Sequence, residues 1–300
     1  MTRHRQSWNI FSRILDRLSD YAIDLLTRPL KTYTLHIPND MAALKRYVRK
    51  GDVILVEGNE RISECIKYLT QSSWSHAALY VGDEPIRRNP ALKSGLVTQF
   101  GDEAKFLMVE ALVESGVVLS PVAKYRDFNM RICRPYSLSP ADLAEIMDEA
   151  LRAVGDTYDL RNVVDLARFF LPVSLVPRRF RRVALSFGSG EPTRVICSSL
   201  IASVFHRVRF PIIPNYAQLP SDAMHSTRTL RLWPIGARQP EPSYGIMRVV
   251  SPTLITPRDF DLSPYFEIIK FNIIENMRFD YHKILWADDD APPQQAKKEA

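Results

Sequence analysis

Short apolar runs that end at turn-forming residues predict a series of strands along this chain. The run that begins at His76 ends at Gly82 and Asp83, and Glu114-Ser115-Gly116 separates two later runs. The predicted strands span residues 53–56, 76–81, 106–111, 116–119 and 128–134, with two late strands over 244–250 and 266–271. The short links between neighbouring strands favour antiparallel pairing.

Apolar residues at spacings of three and four predict helices between and after these strands. Ser139 and Pro140 give the clearest helix start, because serine caps a helix N-terminus and proline fits its first turn. The predicted helices span residues 41–49, 60–71, 140–154, 159–170 and 197–208, and residues 84–104 are predicted to be a polar loop. This order indicates an α+β fold, an antiparallel sheet with helices packed on one side.

Residues 7–28 form a further amphipathic segment, with Trp8 and Phe11 on its apolar stripe and arginines beside it. One interpretation is a helix packed against the rest of the protein. The other is a helix that lies on an anionic membrane surface with its aromatic side chains immersed. The Pro- and Arg-rich stretch 171–192 would meet the same headgroups. Its basic cluster consists of Arg178, Arg179, Arg181 and Arg182.

The composition is that of an ordinary folded protein, with 46% hydrophobic and 25% charged residues and a net charge of +6. This mild charge lacks the dense basic face of a nucleic-acid-binding domain, so no nucleic acid partner is expected. Charged residues interrupt the N-terminal segment, and no run of about 18 apolar residues occurs, so neither a signal peptide nor a transmembrane helix is expected. We expect a cytoplasmic protein, with peripheral attachment to a membrane as the alternative.

Three cysteines, Cys65, Cys133 and Cys197, are spaced far apart without a Cys/His cluster. The pattern predicts no metal site, no cofactor and a reducing compartment. Cys197 differs from the other two because Ser198 and Ser199 follow it at the start of an apolar helix. The dipole of a helix acidifies a thiol at its N-terminus, which suits a nucleophile. A buried structural thiol is the alternative.

Two further residues complete a candidate site. His76 begins a predicted strand, so its side chain can project from the rim of the sheet and act as a base for Cys197. Glu110 lies in an otherwise apolar strand, where a carboxylate is costly unless it is paired. An imidazole on the adjacent strand would pair with it, and the carboxylate would then fix the tautomer of the histidine. A structural role for His76 and an ion pair between Glu110 and an arginine are the alternatives.

Five short motifs in a fixed order make the chain resemble the permuted branch of the NlpC-type papain-fold cysteine hydrolases, the YiiX/YebB-like group. In that branch the histidine strand precedes the cysteine helix, the reverse of papain. A late Thr256-Pro257-Arg258-Asp259 also resembles the C-terminal segment of the family. The five motifs are Gly51-Asp52-Val53-Ile54, Ser75-His76-Ala77-Ala78-Leu79-Tyr80-Val81-Gly82-Asp83, Val109-Glu110-Ala111 with Gly116-Val117, Gly155-Asp156-Thr157-Tyr158-Asp159, and Ile196-Cys197-Ser198.

This resemblance implies a permuted papain-like fold with Cys197 as the nucleophile, His76 as general base and then acid, and Glu110 as the residue that orients His76. Tyr158 and Ser198 are the expected oxyanion- or substrate-binding residues. The implied activity is a cysteine hydrolase that forms an acyl-enzyme, an amidase or peptidase acting on cell-wall-type peptides or other amides. A lipid acyltransferase or deacylase at a membrane surface and a non-catalytic binding module are the alternatives.

The predicted organisation has three parts. Residues 1–40 form an amphipathic N-terminal extension, and residues 41–272 form the hydrolase domain with the basic insert 171–192. Residues 273–300 form a polar C-terminal extension, which is expected to be disordered at its end.

Overall fold

An antiparallel sheet organises the computed structural model, which describes residues 28–29, 39–113, 115–156, 196–218 and 246–271. Six strands lie side by side in the order β4-β3-β2-β1-β5-β8, and each neighbouring pair is antiparallel. The strands of this sheet are β1 (Val53–Val56), β2 (His76–Gly82), β3 (Leu107–Leu112), β4 (Gly116–Pro121), β5 (Met130–Pro135) and β8 (Phe266–Ile269).

Seven α-helices lie within the described ranges, and most of them cover one face of the sheet. They are α1 (Met41–Tyr47), α2 (Arg61–Thr70), α3 (Glu84–Arg88), α4 (Lys93–Phe100), α5 (Pro140–Arg152), α6 (Ile196–Arg207) and α7 (Pro257–Leu262). The main apolar core joins Leu79 and Val109 of the sheet to Ile146 of α5, Phe205 of α6 and Phe260 of α7. The predicted α+β class, with an antiparallel sheet, is therefore confirmed.

The opposite face of the sheet is also covered, by α1 and by the 3₁₀ turn Val122–Tyr125. Leu44 of α1 and Val122 of the turn pack against Ile54 and Met108, which point away from the main core because side chains alternate along a strand. Residues on this second face therefore approach β2 and β3 from the side away from α6.

Most of the early elements follow the predicted pattern within two residues. The start of α5 is as predicted, since Ser139 Oγ accepts a hydrogen bond from the backbone N–H of Asp142 at 3.1 Å. The predicted polar loop at 84–104 is wrong, because this stretch contains α3 and α4. Leu96 is the buried residue of α4, so the apolar periodicity that reveals a helix is nearly absent there.

The late part of the chain departs further from the pattern. The strand predicted over 244–250 is only β7 (Ile246–Met247), which pairs with β6 (Tyr216–Gln218) in a separate two-stranded sheet. The predicted helix at 159–170, the segment 7–28 and the basic insert 171–192 lie outside the described residues. The three-part organisation of the chain stays a prediction.

A buried ion pair holds the start of β1 to β5. Asp52 is 1% exposed, and Arg134 donates from Nε to Oδ1 at 2.9 Å and from Nη2 to Oδ2 at 2.7 Å. Arg134 Nη2 also donates to the carbonyl of Tyr47 at 2.6 Å, which ties the end of α1 to the same point. The Asp52–Arg134 pair therefore links the start of β1, strand β5 and the end of α1.

Asp52→Ala should destabilise the fold by about 3 kcal/mol, because removal of one partner leaves the Arg134 charge buried without compensation. Urea unfolding followed by circular dichroism measures the loss. Asp127→Ala, at an exposed position, is the matched control and should change the free energy of unfolding by less than about 0.5 kcal/mol. Equal stability of the two variants would contradict this role for the pair.

Candidate active site

His76 lies at the first position of β2, next to the end of β1. The backbone N–H of Ser75 donates to the carbonyl of Val56 at 3.1 Å, and Ser75 Oγ accepts from the backbone N–H of Gly58 at 2.8 Å. A Cβ at Gly58 would lie 2.2 Å from Ser63 Oγ, so a larger residue there would displace the Ser63 side chain from the Gly58 backbone. These contacts hold the backbone at His76 while its ring projects from the rim of the sheet.

Glu110 lies in β3 beside β2 and is completely buried. Its Oε2 atom is 2.8 Å from Nε2 of His76. The side chain of His76 is 15% exposed. A hydrogen bond to Nε2 fixes which ring nitrogen faces the carboxylate and leaves Nδ1 for another partner. The carboxylate is paired with an imidazole from the adjacent strand, not with an arginine.

Two more donors reach the same carboxylate from the 3₁₀ turn that follows β4. The hydroxyl of Tyr125 donates to Oε2 at 2.6 Å, and Nζ of Lys124 contacts Oε1 at 2.6 Å. The ring of Tyr125 also packs against the imidazole of His76, with centroids 5.8 Å apart. Both oxygens of Glu110 are therefore hydrogen-bonded, which a buried carboxylate requires.

Cys197 is the second residue of α6 and is 5% exposed. Its charge and a side-chain hydrogen bond raise the pKa of His76, so the thiol and the imidazole are neighbours, although α6 packs on the opposite face of the sheet from Tyr125. His76 is thus the link between the thiol and the carboxylate.

The charges around His76 favour its protonated form. Burial alone lowers the pKa of His76, but the negative charge and hydrogen bond of Cys197, and then those of Glu110, raise it to about 10. Burial alone raises the pKa of Glu110, but its hydrogen bond to His76, the charge of His76 and then Lys124 bring it well below its ordinary range. These shifts favour the imidazolium form of His76 beside an ionised Glu110.

A segment near the end of the described chain ties α6 to the start of β2. Ser198 Oγ donates to the carbonyl of Ile255 at 2.6 Å, next to the cysteine. A few residues later, Asp261 accepts a hydrogen bond from Trp74 Nε1 at 3.0 Å and pairs with Arg131, which stacks over the Trp74 ring. We call residues 255–261 the anchoring segment, since it contacts residues next to both Cys197 and His76.

The motif Thr256-Pro257-Arg258-Asp259 shapes this anchoring segment. Asp259 Oδ2 accepts from the backbone N–H of Thr256 at 2.7 Å, so the two residues form a capping box at the start of α7. Arg258 Nη1 donates to the carbonyl of Thr70 at 3.0 Å, at the end of α2. The motif therefore holds α7 against the helix that precedes His76.

The remaining predicted residues have different outcomes. The hydroxyl of Ser198 is engaged by Ile255, so its predicted role toward an oxyanion or substrate stays a prediction. Tyr158 lies outside the described residues, and so does the basic cluster around Arg178. Cys133 is fully buried, and burial raises the pKa of its thiol far above the ordinary value, as suits a structural cysteine.

Sequence patterns gave no sign of Lys124 and Tyr125. Both follow Pro121 in a short turn, and their side chains reach Glu110 only because that turn folds across the face of β3 opposite α6. The available signal would have been a lysine and a tyrosine that follow, within a few residues, the strand paired with the one that carries Glu110. Residue spacing cannot distinguish such a pair from ordinary surface residues.

Two general properties bear on the class of site. Within the ranges that the structure describes, no group of three or more His, Cys, Asp or Glu side chains is arranged to hold a metal ion. In those same ranges no helix has both the length and the apolar character needed to cross a membrane.

One solved structure resembles this chain weakly. A crystal structure of the metalloprotein yiiX from Escherichia coli O157:H7 is 16% identical, with a TM-score of 0.40, and the alignment covers 75% of this chain and 97% of that one. No curated protein matches the chain.

A family model gives the more specific match. It describes the permuted papain-like amidase enzymes, YaeF/YiiX, of the C92 family, and it matches residues 47–170. The matched range contains His76 and Glu110 and ends before Cys197. The match of residues 47–170 to this family model confirms the resemblance and the permuted papain-like fold that the sequence predicts.

Proposed function

We propose that this protein is a cysteine amidase that works through a covalent acyl-enzyme, with Cys197, His76 and Glu110 as its catalytic group. The observation that carries the proposal is the position of His76, whose Nε2 lies 2.8 Å from a buried carboxylate and whose pKa is raised by the neighbouring Cys197. A nucleophile, a base and a residue that orients the base are the parts that this chemistry needs.

In the first half of the reaction, the Cys197 thiolate attacks the amide carbonyl and forms a tetrahedral oxyanion. The backbone N–H groups at the start of α6, which a helix N-terminus leaves without an intrahelical partner, would stabilise that charge. The protonated His76 gives its proton to the leaving amine, the C–N bond breaks, and a thioester to Cys197 remains. The hydrogen bond from Nε2 to Glu110 keeps Nδ1 directed at the reacting atoms.

In the second half, neutral His76 takes a proton from water, and the hydroxide attacks the thioester. Collapse of this second tetrahedral intermediate breaks the C–S bond, releases the carboxylic acid and restores the thiolate-imidazolium pair. Acylation removes the charge of Cys197, which is the largest of the influences that hold the proton on His76. The same residue can therefore act as an acid first and as a base afterwards.

The substrate that we favour is an amide bond in a small peptide, such as a cell-wall-type fragment. The support is the match of residues 47–170 to a family of amidases. The thioester chemistry would serve esters and thioesters equally well, so hydrolysis of other acyl compounds uses the same residues.

Cys197→Ala should abolish covalent labelling by iodoacetamide at one equivalent and neutral pH, because labelling requires a reactive thiol. Intact-protein mass spectrometry measures the adduct. Cys133→Ala is the matched control and should label like the wild type, since Cys133 is fully buried with a raised pKa. If Cys197→Ala labels as fast as the wild type, Cys197 is not the nucleophile.

The rate of acylation should fall as the pH rises through about 10, where His76 loses its proton. The sign follows from the raised pKa, because the imidazolium that protonates the leaving group is present below that pH and lost above it. Stopped-flow detection of the amine released from an amide substrate measures this fall in rate, the alkaline limb of the pH profile. Circular dichroism at each pH shows that the fold persists.

Glu110→Gln should move this limb to lower pH, because the carboxylate is the second influence that raises the pKa of His76. The amide is nearly the same size, so a shift of the limb reports lost charge and not lost packing. A limb that stays at the same pH in this variant would argue against Glu110 as the partner of His76.

A further inference from the structure

The Glu110 carboxylate has more partners than the orientation of one histidine requires. His76 and Tyr125 both bond to Oε2, while Oε1 is held by the ammonium group of Lys124 at 2.6 Å. Lys124 keeps 37% of its side chain exposed, and its Nζ lies 5.1 Å from the centre of the Tyr125 ring. A flexible lysine is thus held at a fully buried carboxylate from the solvent side.

Charge balance gives this contact a consequence for the reaction. In the resting state of the proposed mechanism, two cations, Lys124 and His76, face two anions, Glu110 and the Cys197 nucleophile. Acylation neutralises Cys197, and His76 must then release its proton to act as a base. Of these four groups, only Lys124 then remains positive to balance the charge of Glu110.

We propose that Lys124 is a positioning residue that neutralises the buried Glu110 carboxylate, so that His76 can give up its proton once Cys197 is acylated. The proposal rests on the proposed function, since it assigns a role within the second half of that reaction. Without Lys124, the Glu110 carboxylate would be balanced only by a protonated His76, and the imidazolium would be favoured. Deacylation would then slow at neutral pH, while acylation, which uses the imidazolium, would be spared.

The other charged and titratable groups around the cluster do not replace Lys124. Tyr125 is neutral, because burial and then the Glu110 charge raise the pKa of its hydroxyl far above the ordinary value. The negative charge of Glu60, just before α2, raises the pKa of Tyr125 further, so Glu60 supplies no positive charge. Cys197 neighbours His76 from α6 and supplies none either. The hydrogen bond and charge of His76, and then Lys124, lower the pKa of Glu110, so Lys124 is the cation beside this carboxylate besides His76 itself.

The first experiment measures the pKa of His76 by NMR titration of its imidazole in the Cys197→Ala background, which lacks the thiolate as the acyl-enzyme does. Lys124→Met should raise this pKa by about 1, because a neighbouring positive charge has been lost. Lys124→Arg should restore the original value, and Lys93→Met, at an exposed position on α4, should leave it unchanged. Identical pKa values with Lys124 and with Met at that position would overturn the proposal.

The second experiment follows acetylation of Cys197 by p-nitrophenyl acetate and the decay of the thioester, using intact-protein mass spectrometry. Lys124→Met should slow decay at pH 7 by about tenfold, since a pKa change of 1 alters the fraction of neutral base by that factor. Its acetylation rate should change much less, and Lys124→Arg should recover the decay rate. Equal decay rates in Lys124→Met and wild type would overturn the role of Lys124.

The two proposals fail in different ways. If Cys197→Ala is acetylated like the wild type, the proposed nucleophile is wrong, whatever the titration of His76 shows. If acetylation depends on Cys197 but neither the pKa of His76 nor the decay rate responds to Lys124→Met, the proposed function stands and the role of Lys124 is wrong.

Discussion

The hydrogen bond between His76 and Glu110 is the interaction on which the site depends. A completely buried carboxylate is unfavourable in an apolar strand, and this one is stabilised by donors from β2 and from the turn after β4. The same donors restrict the imidazole to one orientation. One set of contacts therefore stabilises the buried Glu110 carboxylate and also orients the His76 ring.

Cys197 approaches the imidazole from the other side of the sheet, and its position depends on packing, not on a pair of charges. Helix α6 packs its apolar residues into the main core, with Phe205 against Phe210, Phe260 and Phe266. A close-packed core permits little sliding of a helix along the sheet. The aromatic cluster thus restricts the position of the thiol relative to the imidazole from about two helical turns away.

Sequence reasoning recovered those parts of the structure that local chemistry dictates. The apolar runs marked β1 to β3, and Ser139 with Pro140 marked the start of α5. Glu110 was found because a lone carboxylate in an apolar strand needs a partner, and that partner is on the adjacent strand, as expected. Lys124 and Tyr125 were missed because only the tertiary course of a 3₁₀ turn carries them to the carboxylate, and α4 was missed because it buries little more than Leu96. The catalytic roles of Cys197, His76 and Glu110 stay predictions.

The anchoring segment has a consequence for the order in which the site can be completed during synthesis. His76 and Glu110 are in adjacent strands and can meet as soon as β3 has been made. The helix that carries Cys197 is joined through Ser198 to Ile255, and the turn before His76 is joined through Trp74 to Asp261, more than 50 residues after the cysteine. A nascent chain that ends before residue 255 therefore contains all three side chains but lacks the segment that contacts their neighbours, so Cys197 is fixed beside His76 only late in translation.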